Sequence, residues 1–134
     1  MTEPTVLIVD DEDMVRTALE QWLRLSGFQT ATAASAEEAL SAIDDCHPHV
    51  VLTDVRMPGL SGLDLLRTIS ERALPTSVIL ITGHGDVPMA VEAMRAGAFD
   101  FLQKPYVPDQ LVNSIARAAE QARLRRELAD LRRK

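Results

Sequence analysis

At 134 residues with 46% hydrophobic content, the chain is long enough for one domain with a real core and too short for two ordinary ones. Its formal charge of −6 is uneven: Arg123 to Lys134 hold six Lys/Arg against two Asp/Glu, a local +4, whereas residues 1–122 hold eight against eighteen, or −10, and so acidic a body repels a nucleic-acid backbone. A single cysteine, Cys46, excludes a disulfide or a multi-cysteine metal site within these residues and fits a reducing compartment, where it reads as a small hydrophobe or an idle thiol.

The first apolar run, Val6 to Val9, is strand-length and far too short for a signal peptide or membrane span, so the expected location is the cytoplasm, with no membrane contact. Further runs recur at Thr30 to Ala33, Val50 to Thr53, Val78 to Thr82 and Phe99 to Leu102. All but the second are rich in Val, Ile, Leu or Phe, as expected of strands covered on both faces. Helical patterns lie between them. Val15, Ala18, Leu19, Trp22 and Leu23 are expected on one buried face of the first helix, with Trp22 in the core and Gly27 as its C-terminal cap. Ser35 and Glu38 are spaced as a capping box for a second helix carrying Ala39, Leu40 and Ile43. The third carries Leu65, Leu66 and Ile69, the fourth carries Val91 and Met94 between Pro88 and Gly97, and the fifth starts near Pro108 and Asp109.

Strict alternation of strand and helix implies parallel strands with right-handed crossovers. The expected fold is α/β: a three-layer, doubly wound, five-stranded parallel sheet with an extended C-terminal helix. In such sheets the functional crevice lies outside the carboxyl ends of the strands. Asp10, Asp11, Asp54, Thr82 and Lys104 all sit at those ends.

Three clustered carboxylates repel one another unless a cation intervenes, and hard oxygen ligands suit Mg2+. Lys104 and the Thr82 hydroxyl can donate to phosphoryl oxygens, and phosphoryl transfer needs mainly positioning and charge neutralisation, so Asp54 could accept a phosphoryl group as an acyl phosphate. Taken singly, each residue has a plainer reading: an Asp pair after a strand is more often a turn or helix cap, and a strand-end lysine is more often a solvated amine. Their joint placement at the ends of four apolar runs shifts the balance. A transition-metal site drawn from His84, His47 and His49 is disfavoured, because His47-Pro48-His49 precedes a strand with no matching acid or cysteine cluster, leaving solvated loop histidines.

The segments Val-Asp10-Asp11-Glu12, Thr-Asp54-Val-Arg-Met57-Pro58-Gly59, Ile-Thr82-Gly83 and Lys104-Pro105 together resemble a two-component response-regulator receiver domain over roughly residues 4 to 120, which implies the flavodoxin/CheY-like fold with strand order 2-1-3-4-5. The resemblance implies that Asp54 is the phosphoacceptor for a sensor histidine kinase. It implies that Asp10, Asp11, Asp54 and the main-chain carbonyl of Arg56 hold Mg2+, and that Thr82 and Lys104 bind phosphoryl oxygens. It further implies a cis peptide before Pro105, a Thr82–Phe101 switch, and a site rim of Arg56, Gly83 and His84. The stretch Thr82 to Val91 is similar to receivers of NtrC/DctD and FixJ transcription regulators.

The tail bears on output. Leu111, Ile115, Ala118 and Ala122 form one helical stripe, and Leu124, Leu128 and Leu131 another, about half a turn out of phase. A receiver over residues 1–122 is therefore expected, followed by a helical linker over 123–134 whose leucine seam meets a second copy of itself, giving a homodimer. The linker resembles that of NtrC/DctD-type activators; no ATPase or DNA-binding motif lies within these residues. The rival reading from another class is a Mg2+-dependent phosphohydrolase with an aspartyl nucleophile, though Arg56 stands where a second acid is expected and no cap domain is available. A flavodoxin-like flavin carrier is disfavoured because Val9 is not followed by a hydroxyl- and glycine-rich loop.

Overall fold

Alternating branched side chains build the sheet and its two cores at once. In the computed structural model, which describes residues 3–83 and 87–133, five strands alternate with five helices. They are β1 (Thr5–Val9), α1 (Asp13–Leu25), β2 (Gln29–Ala33), α2 (Ala36–Cys46), β3 (Val50–Asp54), α3 (Gly62–Glu71), β4 (Ser77–Thr82), α4 (Val87–Arg95), β5 (Asp100–Gln103) and α5 (Pro108–Arg133). All pairings are parallel, in the order β2-β1-β3-β4-β5. Period-two alternation sends Leu7, Val9, Val51, Val78 and Leu80 to the face covered by α2, α3 and α4. Val6, Ile8, Val50, Leu52, Ile79 and Ile81 go to the face covered by α1 and α5. Both faces are thus dry, and the expected three-layer order holds.

Helix ends follow their local chemistry. Gly27, just past α1, has φ +97°, a conformation that costs glycine nothing and ends the helix. Ser35 caps α2 by accepting from Glu38 N–H at 3.1 Å, but the Glu38 carboxylate reaches Ala34 N–H rather than that of Ser35, so the expected reciprocal box is only half formed. The complete box lies instead at α3, where Ser61 and Asp64 exchange both bonds.

Two helical faces differ from expectation. On α1 the buried side chains are Leu19 and Leu23, with Val15 half-buried, while Ala18 is exposed and Trp22 is 39% exposed. Positions 15, 19 and 23 stay within a narrow strip, and Trp22 stands about 100° away from Leu23, on the shoulder of the helix. On α4 the buried residues are Ala90 and Ala93, whereas Val91 and Met94 face outward at 49% and 45% exposure. Two alanine methyl groups and the half-buried Met89 hold this helix to the sheet, so it has little apolar anchorage. The α5 stripe of Leu111, Ile115, Ala118 and Ala122 is fully buried as expected, and Leu124, Leu128 and Leu131 are exposed.

Candidate functional site

Register brings the expected residues together. Val9 pairs with Thr53, Asp54 with Ile81, and Thr82 with Gln103, so Asp10, Asp54, Thr82 and Lys104 emerge side by side where β1, β3, β4 and β5 stop. The Lys104 N–H donates to Thr82 O at 2.9 Å, closing the last two strand ends. Across fifty residues of sequence, Lys104 Nζ donates to Asp54 Oδ2 at 3.1 Å. The other carboxylate oxygen, Oδ1, accepts from Arg56 N–H at 3.1 Å. The loop after β3 therefore folds back on the carboxylate that precedes it. The Lys104–Pro105 peptide is cis.

Asp10 is the buried acid, 3% exposed, with Oδ1 accepting from Glu12 N–H at 2.9 Å. Arg16 Nη1 donates to Asp10 O at 2.8 Å and its other amino group pairs with Asp13, so the start of α1 holds the end of β1. Burial pushes the Asp10 carboxyl up from its ordinary value; the Glu12 N–H opposes this, and the Asp54 and Asp11 charges add to it. Asp11 is exposed at the mouth. Burial draws the Lys104 amine down, but the bond and charge of Asp54, with the charges of Asp10 and Glu12, leave it raised. Lys104 thus faces several carboxylates.

Among the described residues no three His, Cys, Asp or Glu side chains enclose a metal-sized space. A Mg2+ ion does not require such a cage, because it keeps several waters and takes one or two carboxylates. The oxygen donors here, and the mutual repulsion felt by Asp10, fit that ion.

Thr82 is 2% exposed and its hydroxyl donates to Gly83 O at 3.3 Å, not to Asp54. Phe101 is half-buried and, with Ala90, Val91, Met94 and Arg95, lines a groove between β5 and α4. His84 lies outside the described residues. Of the other two histidines, His47 is an exposed loop residue as expected, but His49 is half-buried and its Nδ1 accepts from Thr5 N–H at 3.2 Å, so it is structural rather than solvated.

Two contributors to the site escaped the sequence reading. One is the Glu12 main-chain donor. The other is Gly62, whose hypothetical Cβ would stand 2.3 Å from Asp54 O and 3.0 Å from Val55 Cα. Its own N–H donates to Val55 O at 2.9 Å, so α3 starts in direct backbone contact with the segment that carries Asp54. The available signal was the Ser61-x-x-Asp64 spacing before an apolar run, which marks a helix start at Gly62.

A doubly wound sheet of this order, with acids and a lysine at its carboxyl ends, defines a CheY-like α/β domain. The chain belongs to the response-regulator receiver family: the family described as "Response regulator receiver domain" matches residues 6–116. Over 127 residues it is 49% identical to the C4-dicarboxylate transport transcriptional regulatory protein DctD of Pseudomonas aeruginosa, covering 95% of this chain and 28% of that protein. Over 120 residues it is 48% identical to the transcriptional regulatory protein FixJ of Rhizobium meliloti, covering 90% of this chain and 59% of that one. Among solved structures, FixJ-N superimposes with a TM-score of 0.83 at 47% identity, covering 90% of this chain and 96% of that one. NtrX from Brucella abortus in complex with ATP does so with 0.86 at 39% identity, covering 97% of this chain and 30% of that one. The family is regulatory rather than catalytic, which sets aside the phosphohydrolase and flavin-carrier readings. The domain works as a phosphorylation-dependent switch in two-component signalling.

Proposed function

We propose that Asp54 is the phosphoacceptor of this receiver and that Asp10, Asp11, Asp54 and the main-chain carbonyl of Arg56 hold the Mg2+ that receivers generally use. The Lys104–Asp54 contact at 3.1 Å carries the reading, because it aims the nearest cation at the carboxylate that would be modified. A carboxylate oxygen of Asp54 attacks the phosphorus of a phosphohistidine on a sensor kinase; the O–P bond forms as the P–N bond breaks, and the imidazole leaves. Mg2+ held by those oxygens would supply neutralisation of phosphoryl charge. Lys104 follows the charge from the carboxylate to the phosphoryl oxygens. The Thr82 hydroxyl exchanges its weak bond to Gly83 O for a phosphoryl oxygen, and Phe101 turns into the space this vacates.

Arg56 governs how water reaches the acyl phosphate, and Gly83, which has no side chain, leaves room for the phosphodonor to enter. The α4–β5–α5 surface then changes, and the chain pairs with a second copy through Leu124, Leu128 and Leu131. We read residues 1–122 as the receiver and 123–134 as the linker, in a cytoplasmic regulator of transcription of the NtrC/DctD type. No helix among the described residues is long and apolar enough to cross a membrane. With Mg2+ and acetyl phosphate, the protein is expected to gain one phosphoryl group by intact mass, slowly lost to hydrolysis, and Asp54→Asn to gain none. Equal labelling of Asp54→Asn would sink the assignment.

A further inference from the structure

Beyond Ala122, α5 buries no apolar side chain, since Leu124, Leu128 and Leu131 are 51%, 49% and 69% exposed. A short charged helix of this kind is marginal by itself in water. Polar contacts nevertheless tie α5 to the body both before and after Ala122. Ser114 Oγ donates to Asp100 Oδ2 and Ser77 Oγ to Gln121 Oε1, each at 2.8 Å. Arg125 Nη2 then donates to Leu74 O at 2.9 Å. Arg126 goes further and spans two loops. Its Nη2 donates to His47 O at 2.9 Å and Pro48 O at 2.6 Å, in the loop between α2 and β3. Its Nε donates to Pro75 O at 3.3 Å, in the loop between α3 and β4. The buried Thr76 hydroxyl also donates to Pro48 O, at 3.0 Å, which joins those two loops. Arg126 is half-buried, while residues 123–125 and 127–132 are exposed.

We propose that Arg126 is a positioning residue that clamps the extension of α5 to the amino-terminal ends of β3 and β4 and thereby sets the direction in which the leucine seam faces. A planar guanidinium with several fixed donors can satisfy carbonyls on two loops at once, whereas an ammonium is a single point of charge. The clamp lies at the opposite end of the strands from Asp54, so it does not take part in phosphoryl chemistry. It converts a frayed end into a rigid arm that moves with the receiver. Its use in orienting two copies rests on the dimer reading given under Proposed function, but the clamp itself is a property of one chain.

Amide hydrogen exchange of residues 123–133 tests it, read on the full chain at a dilution where sedimentation shows single copies. Loss of charge-assisted bonds predicts about tenfold faster exchange in this segment for Arg126→Gln. Arg126→Lys should restore only a minor part of the protection, and Arg123→Gln, which removes only pairs to Glu120 and Glu127 on the same helix, should change it less. Exchange in β1, β3 and β4 and the labelling of Asp54 by acetyl phosphate should stay as in the parent. Unchanged exchange over 123–133 in Arg126→Gln would overturn the proposal, as would full recovery by lysine or an equal rise throughout the body. Failure of the dimer leaves this readout unaffected, so the two ideas fail separately.

Discussion

At the scale of single residues, the site depends on an atom that is not there. Gly62 has no Cβ, and adding one would place carbon 2.3 Å from the carbonyl oxygen of Asp54, where backbone rather than a flexible side chain must yield. Gly62→Ala is therefore expected to displace the β3–α3 segment, to lower stability by about 1–3 kcal/mol as overpacking does, and to slow labelling of Asp54. Urea unfolding together with acetyl phosphate labelling checks this, and a variant with parental values in both would refute it. His49 makes a second residue-scale case. Burial and the Arg126 guanidinium both hold its imidazole below the ordinary 6.5, and the main-chain N–H of Thr5 points at Nδ1 while Arg126 Nη1 stands 3.3 Å from Nε2. Between its folded value and 6.5 the unfolded chain binds more protons at this residue, so its contribution is fully present above 6.5 and is lost as pH falls through the folded value. The urea midpoint of the parent should drop more steeply below about pH 6.5 than that of His49→Gln; parallel curves would rule this out.

At the scale of elements, what the sequence made legible was whatever periodicity encodes. The parallel sheet, its two core faces, the α5 stripe and the convergence of Asp10, Asp54, Thr82 and Lys104 follow from apolar runs, helical periodicity and crossover handedness, whereas the strand order came with the resemblance to receiver domains. Trp22 and the α4 pair Val91 and Met94 were misplaced because a hydrophobic residue at helical spacing does not say how wide the buried strip is. Gly62 and Arg126 were invisible because close backbone approach and carbonyl recognition leave no apolar pattern. Capping sits between these cases: Ser35 and Glu38 promised a full box, yet only Ser61 and Asp64 make one. The two Ser61 bonds hold the Asp64 carboxyl below its ordinary 3.8, so its contribution is present above that value and fades as pH falls through the lowered one. Ser61→Ala should cost about 1 kcal/mol, and its cost relative to the parent should shrink at acid pH. Denaturant curves at neutral and acid pH measure both, and a loss independent of pH would contradict the reciprocal box.

At the scale of the whole molecule, an acidic body ends in a basic arm whose outward face is apolar. Leu124, Leu128 and Leu131 are spaced four and three residues apart, as in one seam of a two-stranded coil. Glu127 flanks that seam on one side and Arg125 and Arg132 on the other, so two copies can meet with opposite charges across the interface. Two of those charges are already committed, because Arg125 donates to Leu74 O and Glu127 pairs with Arg123 on its own helix. In the proposed pair the leucines would therefore supply most of the attraction, and so short a seam would be weak enough for phosphorylation at the far end of the sheet to decide whether copies associate. With Mg2+ and beryllofluoride, the sedimentation coefficient should rise toward that of a pair, and Leu128→Glu should abolish the rise while Asp54 still takes up phosphate from acetyl phosphate. If Leu128→Glu paired as the parent does, the two copies would have to meet through another surface, and the exposed Val91 and Met94 of α4 would be the next place to substitute.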